Sequence, residues 1–178
     1  TPEYPHAKTG SSGGIGTSIK NLALGLLAEK CTVRVLVYGQ KEESVFDDNG
    51  IIIQQIQNIK FKGLSWYLTR KKMERIINQL YEEEIDLVEA PDWTGITSFI
   101  QPKKCPIIIR LNGSDTYFCH LDQRPVKWKN KFHEKRALQK ANGLLSVSQF
   151  TADLTNEVFG LQKKFTIIPN CIDVDLFN

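Results

Sequence analysis

Short apolar, β-branched runs alternate with helical patterns along most of this 178-residue chain. That order constrains the fold more than composition does. The runs read as strands are Thr32–Tyr38, Ile51–Ile56, Ile85–Ala90, Pro106–Leu111, Gly143–Val147 and Phe165–Pro169. Between them lie segments of three- and four-residue apolar spacing: from near Gly16 to Leu27, Leu64–Glu84, Pro125–Ala141 and Gln149–Phe159. A short helix is expected over Thr94–Gln101, capped by Asp92 or Thr94. Strands separated by helices predict a parallel sheet covered by helices on both faces. The unbroken run ending at Leu111 suits a strand buried on both sides. Gln54 and Gln55 suggest that Ile51–Ile56 lies near a sheet edge. The acidic stretch Glu42–Gly50 is expected to be loop.

In such sheets ligands bind beyond the carboxyl ends of the strands. Four polar or glycine-rich loops follow strands in this order: Ser11–Gly16, Pro91–Gly95, Asn112–Asp115 and Ser148. They are expected to gather on one rim. The first, Ser11-Ser12-Gly13-Gly14-Ile15-Gly16, opens a helix. Unpaired N–H groups and the partial positive charge at a helix start favour an anion such as phosphate; a tight turn without a ligand fits the same residues. A loop of this kind ordinarily follows a strand, and Thr1–Thr9 holds none. We therefore expect a short apolar strand before Thr1, because a vacant place in the sheet would leave backbone groups unpaired.

The chain is 41% hydrophobic and 24% charged, ordinary for a globular domain, and its net charge of +3 gives no argument for nucleic acid. No apolar run is long enough to span a bilayer, and no basic-then-apolar leader is visible. Cys31, Cys105, Cys119 and Cys171 are far apart without a C-x-x-C pair, which argues against zinc and for free thiols in a reducing compartment. His6, His120 and His133 are scattered and read as ordinary surface or packing residues. In Leu64–Glu84 the basic residues Arg70, Lys71, Lys72 and Arg75 precede the acidic Glu82–Glu84, against the helix dipole. The basic and aromatic segment Lys60–Arg75 is a candidate contact for an anionic membrane or a phosphorylated acceptor; a solvated face fits the same residues.

Several motifs together resemble one family. They are Pro2-Glu3-Tyr4-Pro5, Gly13-Gly14-Ile15-Gly16-Thr17 opening a helix, and Thr32-Val33-Arg34-Val35. Asp86-Leu87-Val88 leads to Asp92-Trp93 and Gly95. Glu134 precedes Ala141-Asn142-Gly143-Leu144-Leu145-Ser146-Val147-Ser148. Ile168-Pro169-Asn170-Cys171-Ile172-Asp173 and Phe177 follow. In this order and spacing they resemble the N-terminal half of a GT-B glycosyltransferase of family 4.

The resemblance implies a Rossmann-like three-layer domain over 1–169 and, over 170–178, the start of a linker to a C-terminal domain. It implies a retaining transferase that moves a sugar from a nucleotide-sugar donor to a glycan, lipid-linked or small-molecule acceptor. No metal or other cofactor is implied. Location is expected in the cytoplasm, with the inner face of the membrane as the alternative. Gly13, Gly14, Ile15 and Gly16 would face the donor diphosphate. Asp92, Trp93, Asn112 and Gly113 would face the acceptor, although Asp92 as a helix cap, Trp93 as packing and Asn112 as a turn residue are equally ordinary roles. Glu134 is expected to tie its helix to a nearby loop. Family members carry Gly where Cys171 stands, and many have a histidine where Asn112 stands. No catalytic residue is identified in these 178 residues, and little transfer is expected from them alone. A nicotinamide-dinucleotide domain is a rival reading, weakened by Ile19 at the third glycine position and the absence of a carboxylate after Tyr38-Gly39. A non-catalytic α/β binding module is another.

Overall fold

A computed structural model describes residues 1–83 and 85–170. The expected linker, beyond Asn170, and Cys171 within it lie outside the described residues. The chain divides into two compact units, Thr1–Ser65 and Trp66–Pro169, and each has its own sheet.

The first unit contains α1 (Gly14–Ala28), β1 (Arg34–Gln40), β2 (Ser44–Asp48) and β3 (Ile51–Gln57). Its sheet order is β1-β3-β2, with β1 parallel and β2 antiparallel to β3. Two expectations fail here. The stretch expected to be loop after Glu42 holds β2, because Asn49-Gly50 forms a two-residue hairpin turn. Asn49 (φ 56°) and Gly50 (φ 89°) both have positive φ, as a type I′ turn requires, and Asn-Gly is its favoured pair. β3 is thereby the central strand rather than an edge strand. Its Ile51, Ile53 and Gln55 point inward. Gln55 is buried because its side-chain amide donates to the carbonyl of Lys8 and to Gln40 Oε1; a buried amide is tolerated when its hydrogen bonds are made.

Tyr4, Ala23, Val35, Val37, Ile51 and Ile53 form this unit's core. Tyr4 pins the N-terminal loop. Its hydroxyl donates to Asp48 Oδ2 at 2.8 Å, and Lys20 Nζ donates to the same oxygen at 2.7 Å. Burial pushes the Asp48 carboxyl up, but the hydrogen bonds from Lys20 and Tyr4 outweigh it and hold the group below the ordinary carboxylate range. Thr1 pairs with the free side of β1: its N donates to the Leu36 carbonyl, and its carbonyl accepts from Tyr38 N. This is one rung of a parallel ladder.

The second unit has a four-stranded, all-parallel sheet in the order β4 (Val88–Pro91), β5 (Ile107–Leu111), β6 (Gly143–Ser146), β7 (Thr166–Ile167). It is flanked by α2 (Ser65–Glu83), α3 (Asp115–Leu121), α4 (Trp128–Lys140) and α5 (Gln149–Phe159), as the alternation predicts. β4 includes Pro91, where a missing N–H is harmless because β4 lies at the end of this sheet. The apolar reading of β5 overlooked Arg110. That side chain is buried and makes a two-pronged pair with Glu89 on β4, at 2.7 and 3.3 Å, while Nη1 reaches the Ile168 carbonyl. α3 was not foreseen. Ser114 starts it by accepting from Tyr117 N. Ser148 caps α5 in the same way, and Gly160 closes α5 in the left-handed conformation, both as expected.

Candidate functional site

Two chain segments meet beyond the carboxyl ends of β4 and β5. β4 runs into Asp92-Trp93, and Trp93–Phe99 forms a 3-10 segment. β5 runs into Asn112-Gly113. The Asp92 side chain does not cap the segment that follows it. Its Oδ1 instead accepts from Asn112 N at 2.9 Å, while Asp92 N donates to the Arg110 carbonyl. A carboxylate at this place thus sets the direction in which the β5 chain leaves the sheet.

Asp92 is only 2% exposed. Burial raises its pKa to about 7; hydrogen bonds from the Asn112 and Gly113 backbone oppose the shift, and the nearby Glu134 charge adds to it. Asn112 and Trp93 remain partly exposed. Gly113 lies against Phe118: a Cβ there would come within 2.5 Å of the ring.

Glu134, on α4, is the hub of the rim. Its Oε1 accepts from Thr94 N at 3.1 Å and Asp115 N at 3.0 Å. Its Oε2 accepts from Thr116 N at 3.2 Å and from the Thr116 hydroxyl. One buried carboxylate therefore fastens the β4 loop and the start of α3 to α4. This is the tie expected of it. Burial raises its pKa, against the pull of these hydrogen bonds. Gly95 permits the arrangement. It has φ +57°, and a Cβ there would fall well inside van der Waals contact with the backbone of His133 and Glu134. His133 in turn shares a hydrogen bond with Ser98 Oγ, 2.9 Å from Nδ1, and burial followed by the charges of Arg70 and Arg136 lowers its pKa. Arg70 is not a solvated charge but a buried one, donating to the carbonyls of Trp66 and Gly95.

The structure thus brings Asp92, Trp93, Asn112 and Gly113 together. Gly13, Gly14, Ile15 and Gly16 belong to the first unit. There α1 starts after Gly13, two residues earlier than the apolar pattern suggests. Glu3 Oε1 accepts from Gly16 N at 2.8 Å, so a carboxylate of the chain itself already takes one N–H of the helix start. The space explains one of the glycines. A Cβ at Gly16 would collide with Ser12 Oγ and press on Glu3, whereas one at Gly13 would stand in ordinary contact, 3.4 Å from Glu3 Oε1. Gly14 has open space around it. Sequence reasoning treated Glu3 only as part of a motif; its spacing from Gly16 gives no local periodicity that would reveal the contact.

A parallel sheet flanked by helices, with polar loops at the ends of adjacent strands, is a Rossmann-like arrangement. The family model for Glycosyltransferase Family 4 matches residues 12–176, and the chain belongs to that family. No match was found among curated proteins.

Proposed function

We propose that this chain forms the acceptor-side domain of a retaining glycosyltransferase that uses a nucleotide-sugar donor. The observation that carries the reading is family membership over nearly the whole chain. The rim geometry supports it. Asn112 offers a side-chain amide, and Trp93 an aromatic surface, where an acceptor sugar would lie. Asp92 acts as a positioning residue through the Asn112 backbone, and Glu134 holds the loops that carry both.

On the donor side, transfer builds negative charge on the departing diphosphate. The backbone N–H groups of Gly14 and Ile15, at the start of α1, are suited to that charge. Glu3 competes for the same helix end. This reading takes the nucleotide sugar as a substrate and needs no metal, and it expects a second domain to complete the donor pocket.

Calorimetry on the natural-length protein, titrated with nucleotide sugars and separately with NAD, tests the proposal. Binding of a nucleotide sugar, and an Asn112→Ala variant with a raised acceptor KM and unchanged donor affinity, is the expected result. Binding of NAD with no response to any nucleotide sugar would overturn it.

A further inference from the structure

α4 has two dissimilar sides. Glu134, Ala137 and Leu138 face inward. At about 3.6 residues per turn, the opposite side carries Trp128, Phe132 and Gln139. Lys131 and Lys135 lie along one flank of that stripe, and Lys129, Arg136 and Lys140 along the other. Trp128 is 72% exposed and Phe132 49%.

The stripe continues off the helix. Phe132 meets Phe99 at 6.4 Å between ring centres, and Phe99 meets Trp66 at 5.4 Å. Trp66 belongs to the Lys60–Arg75 segment and is 42% exposed; its neighbour Tyr67 also meets Phe99, at 6.0 Å. Arg136 stacks over Phe99 at 4.5 Å. The carboxylates nearby are already engaged: Glu134 is buried among four donors, Asp115 accepts from Asn130, and Asp122 pairs with Arg124. Among the described residues no α4 lysine forms an ion pair.

Exposed indole and phenyl rings between two rows of cations match one kind of partner by charge and by polarity. It is a bilayer surface with anionic phospholipid, where aromatic rings sit at the headgroup level and lysines extend to the phosphates. Among the described residues no helix is long and apolar enough to cross a membrane, so the contact is one of lying on the surface. We propose that α4, with Trp66, is the face by which this chain docks on an anionic membrane, Trp128 and Phe132 entering the interface and the flanking lysines reading its charge. This inference stands apart from the transferase reading and requires no acceptor.

The test is sedimentation of the natural-length protein with phosphatidylcholine vesicles, with and without phosphatidylglycerol. Binding is expected only when phosphatidylglycerol is present, with tryptophan emission quenched by brominated lipid. A Trp128→Ala/Phe132→Ala variant should bind at least about tenfold more weakly, since it removes most of the buried apolar area. Lys129→Ser and Lys131→Ser should each weaken binding about fivefold. Trp128 and Lys129 are exposed, so Trp128→Ala and Lys129→Ser alone should weaken binding while melting with the parent protein, and they carry the test where loss of the Phe132 contact with Phe99 or of the partly buried Lys131 lowers stability. Absence of binding, equal binding by the aromatic double variant, or equal retention on heparin without bromolipid quenching would each overturn the proposal; the last would mark a site for a soluble polyanion.

Discussion

Glu134 and Asp92 occupy the same few ångströms of rim in different ways. Glu134 accepts from the backbone N–H groups of Thr94, Asp115 and Thr116. Glu134→Ala leaves these donors buried and unpaired, and we expect it to lower stability by about 3 kcal/mol in urea unfolding. Glu134→Gln keeps the shape but offers one good acceptor instead of two, and should fall between. Asp92 governs a pH dependence. The unfolded chain releases this proton near about pH 4, whereas the folded chain holds it to about pH 7. Across that window the folded state binds more protons than the unfolded, so unfolding free energy decreases as pH rises. Glu134, also raised, contributes in the same direction. Denaturation midpoints measured at several pH values from about 4 to about 7, the window between the unfolded and folded Asp92 carboxyl, should decline with pH in the parent protein. The decline should be smaller in Asp92→Asn; an unchanged slope would show that Asp92 is not the group responsible.

At the scale of elements, the long-period patterns were legible. The helices that became α2, α4 and α5 and the strands that became β1, β3, β5 and β6 follow directly from apolar spacing, within a few residues at each end. The misses share one cause, since each element is defined by a single turn or cap rather than by a repeat. β2 depends on Asn49-Gly50, and α3 on Ser114. The buried polar groups were harder still. The partners of Glu89, Gln55 and Glu3 lie at separations of 21, 15 and 13 residues, and a pairing over such distances leaves no local signature in one sequence. Of the site, the adjacency of the loops after β4 and β5, and with it Asp92 beside Asn112, could be read from strand order; the direction of the Asp92 carboxyl could not. The 3-10 segment supplies a sharp test. Because a Cβ at residue 95 would press on the α4 backbone and demand positive φ, Gly95→Ala should destabilise the protein by at least about 2 kcal/mol. Gly14→Ala, with open space around it, should change stability by less than about 1 kcal/mol. Thermal melts of the pair decide the matter.

At the scale of the whole molecule, each unit has inner strands with neighbours on both sides: β3 between β1 and β2 in the first, and β5 and β6 in the second. Amides in these strands should exchange with solvent most slowly, because their opening breaks two ladders. The short terminal β7, exposed at both residues, should exchange far sooner. Hydrogen exchange followed by NMR would show this order, and early exchange in β5 would contradict the sheet described here. Family membership belongs to the chain as a whole, and if the proposed sugar binding and the proposed docking are separate, a variant at Trp128 should leave nucleotide-sugar affinity untouched, as calorimetry would show.

The hairpin at Asn49-Gly50 has a bearing on how a preparation of this protein ages. Asn-Gly is the dipeptide that most readily closes to a succinimide and opens to isoaspartate, by attack of the glycine nitrogen on the asparagine side chain. Here Gly50 N donates to Asp47 Oδ1 at 3.1 Å, and Asn49 Nδ2 donates to Asp48 Oδ1 at 2.9 Å. Both reacting groups are held by other partners. The folded protein should therefore resist deamidation at this turn, and the appearance of isoaspartate at residue 49 would serve as a chemical record of time the first unit has spent unfolded.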